Sequence, residues 1–396
     1  MKGGVLYISY DGMLEPLGQS QVLSYIERLS ADRRIHVLSF EKAGDWRDLA
    51  ARRQVEDRMR AAGIAWHPLP YHKYPSALAT AWDIFAGTGY ALWLAFRYQL
   101  GIVHARSYVA AVMALMVKRV IGRRFLFDMR GFWVDERVDG GLWPRQGRMY
   151  RVGKWVERRL LLGADRIITL TKASVRELGR LDYLRDRTPH VTVIPTCVDL
   201  ARFHPGAVSC EHFVLGYVGS VGTWYLFEEV ARAFALLRLR IPDAHFLILN
   251  RNDHGLIRRA LDSAGIPAAA VDIIAAEHKD VPGMMARMNA GIFFIRPVFS
   301  KQASAPTKLA EFLGCGIPCL ANAGVGDMTE LFAEARTGVV VHAFDQESLA
   351  KGVDRLLDLT RDPGVRQRCV QTAEGHFSLA HGVEIYRKIY EALEQQ

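Results

Sequence analysis

The chain has 396 residues, half of them hydrophobic, and can therefore bury two domain cores of roughly 150 to 200 residues each. Residues 1–200 hold 31 Lys and Arg against 20 Asp and Glu, a net charge of +11, whereas residues 201–396 hold 20 against 22, a net charge of −2. A basic first half favours an anionic partner such as a phospholipid surface or a phosphorylated molecule. No nucleic-acid-binding motif accompanies this charge, so we do not expect nucleic acid as a partner.

The first predicted element is a strand at 5–9, and the residues before it form no signal peptide. The cysteines are odd in number and form no CxxC pair, which argues against a disulfide framework or a zinc site. We therefore expect a chain of the reducing cytosol with buried thiols. The cysteines are Cys197, Cys210, Cys315, Cys319 and Cys369.

Short apolar strands alternate with helical patterns through the first half, which is typical of a doubly wound parallel sheet. After the first strand, Gly18 precedes a helix expected at 20–30. Gly18 would let the backbone approach an anion, with Gln19 and Ser20 donating hydrogen bonds. A plain turn and helix cap would use the same residues. Further strands are predicted at 35–40, 64–68, 102–104, 124–128, 166–170 and 191–194.

Charged side chains end two of these strands. His104 and Arg106 end one strand, and Asp128 and Arg130 end the next. The carboxyl ends of parallel strands form the ligand-binding edge of such a sheet, so we expect these side chains there. A purely structural role is the alternative for His104.

Two helices, near 82–98 and 109–124, combine aromatic with basic residues. Such a mixture suits the surface of an anionic bilayer. Buried helices with a solvated basic end would give the same pattern. The basic residues are Lys118, Arg119, Arg123 and Arg124.

A second set of strands begins at 213–218 and is followed by a glycine turn. Gly219 and Gly222, with Ser220 and Thr223, would let the backbone approach an anion closely. The aromatic residues Trp224 and Tyr225 that come next either offer a ring to a ligand or belong to the core. Later strands are predicted at 245–249, 271–274, 291–295, 318–321 and 339–341.

The most informative segment is 296–327. Arg296 ends a strand, and the following loop, which contains Lys301 and Ser304, leads into a helix with Pro306 expected in its first turn, capped by Ser304 or Ala305. Lys308 and Glu311 share one face of this helix. The free amide groups at the helix start, beside Lys308, indicate an anion site. An exposed ion pair on a surface helix is the alternative.

The run from Pro306 to Pro318, PTKLAEFLGCGIP, resembles the family-4 retaining glycosyltransferases, two-domain enzymes of the GT-B fold that use nucleotide sugars. Residues 194–205, IPTCVDLARFHP, are similar to the segment with which that family leaves its N-terminal domain. The resemblance implies two doubly wound, Rossmann-like α/β domains that face each other across a cleft. Expected are an acceptor-side domain at 1–205, a nucleotide-sugar domain at 206–377, a linker near 204–211, and a C-terminal helix at 378–396 that returns to the first domain.

The resemblance also implies roles for the residues. Glu311 would accept hydrogen bonds from the ribose, and Lys308 with the helix start would hold the diphosphate. Arg296 and Lys308 would neutralise the leaving group without a metal or another cofactor. Asp128 and Arg130, as catalytic candidates, would line the acceptor side with His104 and Arg106. The donor-binding set is Gly18, Gln19, Gly219, Ser220, Gly222, Thr223, Lys301, Ser304, Thr307, Lys308, Leu309 and Glu311.

Two departures from the family pattern concern the donor. Ala303 stands where many members carry a second glutamate that touches the sugar, which leaves the donor sugar open. Thr223 to Tyr225 replace an Arg and a Lys, so we expect Arg296 and Lys301 to supply that charge instead.

The resemblance, together with these observations, implies a metal-independent, retaining glycosyltransferase. It would move a hexose-type sugar from a nucleotide-diphosphate donor to a lipid-linked or polysaccharide acceptor at the cytosolic face of a membrane. The alternatives are a sugar-nucleotide epimerase or hydrolase of the same fold, and a non-catalytic membrane-surface protein.

Overall fold

The computed structural model describes residues 2–185, 190–206, 212–277 and 280–396. It divides into two compact units: unit 1 comprises Met1–Ile194 and Gly382–Gln396, and unit 2 comprises Pro195–His381. The expected boundary after residue 205 therefore falls inside unit 2. The reason is local pairing, because the N–H of Val198 donates to the carbonyl of Phe377 at 2.8 Å. Most of the expected linker, with Cys210, lies outside the described residues.

Unit 1 is built on a parallel sheet with the strand order β3-β2-β1-β4-β5-β6-β7 in the described part of the chain. Strands are added on one side of β1 up to β3 and then on its other side from β4. All predicted strands of the first half are present. They are β1 (Lys2–Ser9), β2 (Arg33–Glu41), β3 (Ala65–Pro70), β4 (Leu100–Arg106), β5 (Arg124–Asp128), β6 (Arg166–Thr169) and β7 (Val191–Val193).

The helices of unit 1 follow the strands as a doubly wound sheet requires. A π-helical turn at Gln19–Leu23 joins the first two helices, and a 3₁₀ turn lies at Asp182–Leu184. The helices are α1 (Pro16–Gly18), α2 (Ser24–Leu29), α3 (Ala43–Trp46), α4 (Leu49–Ala61), α5 (Ser76–Arg97), α6 (Ser107–Ile121), α7 (Trp133–Asp139), α8 (Arg148–Gly163) and α9 (Lys172–Gly179).

Unit 2 repeats the same plan. Among its described residues the sheet is parallel, with the order β10-β9-β8-β11-β12-β13. The core strands are buried on both faces, so they read as continuous apolar runs rather than alternating ones. The strands are β8 (Val214–Val218), β9 (His245–Leu249), β10 (Val271–Ile274), β11 (Ala290–Ile292), β12 (Cys319–Asn322) and β13 (Gly338–Val341).

Helices cover both faces of this second sheet, with 3₁₀ turns at Ala268–Ala270 and Phe299–Ala303. The last helix carries the chain back to unit 1 at Gly382. The helices are α10 (Phe227–Arg238), α11 (His254–Ser263), α12 (Val281–Met285), α13 (Thr307–Gly314), α14 (Met328–Ala335), α15 (Gln346–Arg361), α16 (Val365–Phe377) and α17 (Leu379–Glu394).

Two local predictions need correction. The strand expected to reach residue 295 ends at Ile292, because the side chain of Asn322 bonds both the N–H and the C=O of Ile295, at 2.7 and 2.8 Å, in place of a neighbouring strand. Pro306 is the residue before α13 rather than part of its first turn, with an extended ψ of 125°. Its missing N–H costs nothing at either position.

The helices predicted to carry aromatic and basic residues behave differently. Most apolar side chains of α6 are in the core, and the Nζ of Lys118 lies 2.8 Å from Asp165, which Arg124 also approaches at 3.7 Å. The reading as a buried helix with a paired basic end therefore holds for α6. By contrast α5 leaves a stripe of large apolar side chains exposed: Leu78, Trp82, Phe85, Trp93 and Phe96. No helix of the described residues is long and apolar enough to cross a membrane.

The helix expected at 20–30 starts earlier, at Pro16, and Gly18 lies inside its first turn. A Cβ at Gly18 would sit 2.0 Å from the carbonyl oxygen of Gly12, far below any real contact distance. The backbone of its own loop therefore requires glycine at this position, without a ligand.

We expect Gly18→Ala to destabilise unit 1 by about 1–3 kcal/mol, because the added methyl group must displace backbone rather than a flexible side chain. Gly89→Ala on α5 is the matched control, since its Cβ would meet no atom within 4 Å and alanine favours a helix by about 1 kcal/mol. Urea unfolding of both variants measures the difference. A Gly18→Ala protein of normal stability would contradict the packing explanation and return Gly18 to a ligand-binding role.

Candidate functional site

The candidate site of unit 2 lies where its strand order reverses. The chain leaves β8 toward β9 on one side, and it later returns to the other side of β8 as β11. The loops that follow β8 and β11 therefore diverge from neighbouring strand ends, which is where open α/β sheets bind ligands. These loops contain the glycine turn and the segment from Arg296 to Lys308.

The glycine turn has a backbone that few other residues could adopt. Gly219 and Gly222 have φ values of +100° and +78°, and Thr223 has +45°. Asn250, which follows β9, donates from its side chain to the carbonyl of Gly219 at 2.9 Å, and its own backbone N–H is bonded to Ile274 at 3.0 Å. Asn250 thus fixes the turn, while the side chains of Ser220 and Thr223 remain exposed.

Lys308 points its ammonium group beneath this turn. The Nζ atom is buried and has no hydrogen-bond partner among the described residues. It lies 3.9 Å from the ring centre of Tyr225 and 4.6 Å from that of Tyr217, and a Cβ at Gly219 would be 3.4 Å away. Burial lowers the pKa of Lys308 to about 7, although the charge of Glu311 acts in the opposite direction.

Glu311, one turn along α13, is the carboxylate beside it. Burial raises the pKa of Glu311 to about 7, against the opposing charges of Lys308 and Arg202. Lys308 and Glu311 are both buried, and they form no direct ion pair with each other in the described structure. The alternative of an exposed surface pair is therefore wrong. Each group is held in a low-dielectric place that disfavours its charged form.

The remaining predicted donor residues are placed unequally. Lys301 is buried with its Nζ 3.8 Å from the ring centre of Trp224, so Trp224 and Tyr225 each face a cation rather than only the core. Arg296 is exposed, and its N–H donates to the carbonyl of Trp224 at 2.8 Å. Leu309 is 2 % exposed, and its side chain belongs to the core. Ser304 and Thr307 are half-buried.

In unit 1, Asp128 at the end of β5 is wholly buried rather than exposed to a ligand. Its Oδ2 accepts a hydrogen bond from Tyr386 of α17 at 3.0 Å, and Arg106 and Arg130 each approach the carboxylate to 3.9 Å. Burial alone would raise the pKa of Asp128, but Arg130, His104 and Arg106 together hold it below its ordinary value. Oδ2 is thus hydrogen-bonded, whereas the buried Oδ1 has no hydrogen-bond partner among the described residues.

His104 is equally enclosed. Its Nδ1 pairs with the hydroxyl of Tyr390 at 2.7 Å, and burial lowers its pKa. Neither His104 nor Asp128 presents an atom to solvent, so the expectation that they contact an acceptor directly is corrected to a structural role. Arg106 is buried too, with its Nε 3.4 Å from Asp11. Only Arg130, half-buried with a φ of +60°, stays partly accessible in this group.

Gln19 has a local role in the same unit. Its side-chain amide donates to the carbonyl of Leu14 at 3.4 Å. The loop is further fixed by Glu41, whose two carboxylate oxygens accept the N–H groups of Met13 and Leu14 at 2.8 and 3.2 Å. Glu41 was not predicted. Its position one residue after the predicted end of a strand is the only signal that could have found it.

No group of three or more His, Cys, Asp and Glu side chains among the described residues is arranged to hold a metal ion. The four cysteines that the structure describes are free and buried, as expected. They are Cys197, Cys315, Cys319 and Cys369.

Comparisons with known proteins agree with this architecture. The family described as "Glycosyl transferases group 1" matches residues 206–376, and the one described as "Glycosyltransferase Family 4" matches residues 18–202. A comparison with curated protein sequences gives no significant match.

Solved structures that resemble the chain cover almost all of it at low identity. Sucrose-phosphate synthase from Thermosynechococcus elongatus has a TM-score of 0.70 and 15 % identity, over 99 % of this chain and 100 % of that one. A glycosyltransferase from Rickettsia africae has a TM-score of 0.71 and 13 % identity, over 99 % of this chain and 98 % of that one. HepE from Anabaena, in complex with UDP-glucose, has a TM-score of 0.70 and 12 % identity, over 98 % of this chain and 100 % of that one. At these identities the likeness establishes the fold.

The buried pair predicts an unusual pH dependence of the free energy of unfolding. Burial raises the pKa of Glu311 from 4.5 to about 7. Its contribution to the free energy of unfolding is therefore present below pH 4.5 and is lost as the pH rises to 7. Burial lowers the pKa of Lys308 from 10.5 to about 7. Its contribution to the free energy of unfolding is therefore present above pH 10.5 and is lost as the pH falls to 7. The pair therefore destabilises the free protein most near pH 7.

Lys308→Met should remove the cost of burying the lysine, raise the stability of the ligand-free protein at pH 7 and flatten its rise above pH 7, while the cost of burying Glu311 stays. Lys351→Met, at an exposed pair with Glu347, should change stability by less than about 0.5 kcal/mol. Urea unfolding at several pH values tests both. A Lys308→Met protein less stable than the wild type at pH 7 would show that the ammonium group is satisfied in the fold.

Proposed function

Because this chain belongs to the GT-B glycosyltransferases of the group 1 and family 4 type, we propose that it is a retaining, metal-independent enzyme. It moves a hexose-type sugar from a nucleotide-diphosphate donor to a lipid-linked or polysaccharide acceptor at the cytosolic face of a membrane. HepE, which shares the fold, has been solved with UDP and with UDP-glucose, so a uridine nucleotide is the first donor to test.

The observation that carries the proposal is the unpartnered ammonium group of Lys308. It lies between the glycine turn at Gly219 and the start of α13, where turn amides and helix amides both favour an anion. A diphosphate bound there would restore the positive charge of Lys308 by raising its pKa. The site is therefore preorganised for an anion and incomplete without one.

Glu311 suits the neighbouring ribose. Its buried carboxylate accepts no hydrogen bond from the described side chains, and two vicinal hydroxyl groups would supply the missing donors. Charge-assisted hydrogen bonds of this kind contribute about 1.5–3 kcal/mol each. By contrast, no residue is assigned to the nucleobase of the donor.

The proposed reaction needs charge stabilisation more than it needs a protein base. The bond between the anomeric carbon and the diphosphate oxygen breaks, and its electron pair leaves with the diphosphate. Lys308 and the exposed Arg296 would offset that developing charge. The acceptor oxygen bonds the same face of the anomeric carbon, and its proton passes to the leaving phosphate. This leaves Asp128 free to remain the buried partner of Tyr386.

The membrane part of the proposal is supported by α5. Its exposed apolar residues Leu78, Trp82 and Phe85 repeat with the period of a helix face. Lys73, just before the helix, and Arg97, its last residue, are exposed basic side chains. An apolar stripe flanked by cations matches the interface of an anionic bilayer, to which we assign it.

For the donor, we expect UDP, GDP or ADP to raise the melting temperature of the wild type, since a ligand of the native state must stabilise it. Glu311→Ala should lower the affinity for whichever nucleotide stabilises the wild type at least about tenfold, because the hydrogen bonds to the ribose are lost. Glu334→Ala, an exposed glutamate on α14, is the control. Unchanged affinity in a folded Glu311→Ala protein would remove the ribose assignment.

The same assays test the leaving-group scheme. Lys308→Ala and Arg296→Ala should lower turnover, because the charge that they offset is greater in the transition state than in the bound donor. A chelator such as EDTA should leave the wild type active. Loss of activity with EDTA, or normal turnover in both variants, would contradict the scheme.

For the membrane, the protein should sediment with vesicles containing phosphatidylglycerol at low salt and be released at 1 M salt, where the Debye length is about 3 Å. The double variant Trp82→Ser, Phe85→Ser should bind at least about tenfold more weakly. Leu239→Ser, at an equally exposed position in unit 2, should bind normally. Equal binding of both variants, or wild-type dimerisation through α5 without vesicle binding, would overturn the assignment.

A further inference from the structure

Two buried side chains hold the backbone of the glycine turn in unit 2. Nδ2 of Asn250 donates a hydrogen bond to the carbonyl of Gly219 at 2.9 Å. The hydroxyl group of Tyr217 donates one to the next carbonyl, that of Ser220, at 2.6 Å. Asn250 is 4 % exposed and Tyr217 is 0 % exposed, so both carbonyls are drawn toward the interior of the unit.

Asn250 is a rigid anchor because each of its polar groups is bonded. Its Oδ1 accepts the N–H groups of Asn252 and Asp253 at 3.1 and 2.8 Å. Its backbone N–H donates to the carbonyl of Ile274 at 3.0 Å, and its own carbonyl accepts from Nε2 of His254 at 2.7 Å. The side chain therefore has little freedom to release the turn.

Tyr217 anchors the turn to the strand that precedes it, β8. Burial holds the pKa of this phenol well above its ordinary value, because the ionised form would lose its hydration. The group is therefore a hydrogen-bond donor throughout the neutral pH range. Buried polar groups are nearly always hydrogen-bonded, and the carbonyl of Ser220 is the acceptor that the turn supplies.

A fixed carbonyl also fixes the N–H group of the following residue. The two lie in one planar trans peptide and point in opposite directions. Since the carbonyls of Gly219 and Ser220 point inward, the N–H groups that follow them, those of Ser220 and Val221, point outward. Neither N–H group has a hydrogen-bond acceptor among the described residues. Successive N–H groups with a common direction form an anion-binding concavity.

The glycine residues make this restraint necessary. Gly219 and Gly222 have φ values of +100° and +78°, but glycine adopts many other backbone conformations at little cost. A peptide that rotated by half a turn would present its carbonyl oxygen to the anion and repel it. The bonds from Asn250 and Tyr217 oppose that rotation.

We propose that Asn250 and Tyr217 are positioning residues of an anion site, in which the N–H groups of Ser220 and Val221 donate to a phosphate group. Neither side chain touches the anion, since each acts through the peptide that it holds. Asn250 sets the direction of the Ser220 N–H, and Tyr217 sets that of the Val221 N–H. The naming of a diphosphate as the physiological anion rests on the proposed function, whereas the direction of the two N–H groups does not.

Inorganic pyrophosphate is the probe, added to the full chain with ¹⁵N-labelled serine and valine. The signals of Ser220 and Val221 are identified by their loss in Ser220→Ala and Val221→Ala. Pyrophosphate should move both amide proton signals of the wild type downfield, because each N–H gains a charged acceptor and such hydrogen bonds are short and strong. An unchanged position of both signals would overturn the site.

Tyr217→Phe removes one hydroxyl group and keeps the aromatic ring in place. The downfield movement of Val221 should be lost and that of Ser220 kept. The affinity for pyrophosphate should fall about tenfold or more, because a hydrogen bond to a charged group is lost. Tyr108→Phe is the matched control, because the hydroxyl group of that similarly buried tyrosine donates to Glu157 in unit 1 at 2.8 Å. It should bind pyrophosphate as the wild type does.

Asn250→Ala should give the opposite pattern, with the movement of Ser220 lost and that of Val221 kept. This exchange of patterns separates positioning from a general loss of structure. A variant in which both signals stop moving together would contradict the separate roles, as would wild-type affinity for pyrophosphate in Tyr217→Phe. If Asn250→Ala does not fold, Tyr217→Phe, which loses only a hydroxyl group, still decides.

The nucleotide measurements distinguish this role from the proposed function. Amide shifts with pyrophosphate in the stated pattern, in a protein that UDP, GDP and ADP fail to stabilise, would leave the anion site and overturn the transferase. Stabilisation by a nucleotide without any amide response would overturn the positioning role alone. Responses to both are the expected result.

Discussion

The reversal of strand order beside the first strand of each sheet is the constraint on which the rest of the molecule depends. In unit 2 it places the loops after β8 and β11 at neighbouring strand ends, and so brings Lys308 close enough to Gly219 that an added Cβ would lie 3.4 Å from its Nζ. In unit 1 the same reversal places the loops after β1 and β4 side by side, where Asp11 meets Arg106. Because both sheets are parallel, every loop that carries chemistry leaves from one edge.

The candidate site of unit 2 contains a buried ammonium group, that of Lys308, which the described fold does not satisfy. A buried lysine and a buried glutamate on one helix would ordinarily neutralise each other at hydrogen-bond distance. Here Lys308 faces the rings of Tyr217 and Tyr225, and a cation over an aromatic face recovers only about 0.5–2 kcal/mol of its lost hydration. The remaining cost of burying Lys308 destabilises the protein without ligand, and an anion bound at the glycine turn would remove it. The buried cluster of unit 1 is satisfied only in part. Oδ2 of Asp128 accepts a hydrogen bond from Tyr386, but Oδ1 of Asp128 and Nε2 of His104 have no hydrogen-bond partner among the described residues.

The sequence predicted the sheet architecture and placed Lys308 and Glu311 on one helix, because strand periodicity and the helix run are local patterns. Arg296 was expected at the end of a strand, but β11 already ends at Ile292. It could not predict that Gly18 meets Gly12, or that Asn322 replaces a strand in bonding Ile295. These contacts depend on three-dimensional packing. The partners of Asp128 and His104 lie on the last helix, more than 250 residues away.

The return of α17 to unit 1 has a consequence for synthesis on the ribosome. Tyr386 hydrogen-bonds Asp128 and Tyr390 hydrogen-bonds His104, and Glu394 pairs with the buried Arg33 of β2. All three are translated after unit 2. While the chain is being made, unit 1 therefore exposes or buries without partners the polar groups that these residues satisfy. Unit 2, continuous in sequence from Pro195 to His381, can finish folding first, and the domain that begins the chain is the last to become complete.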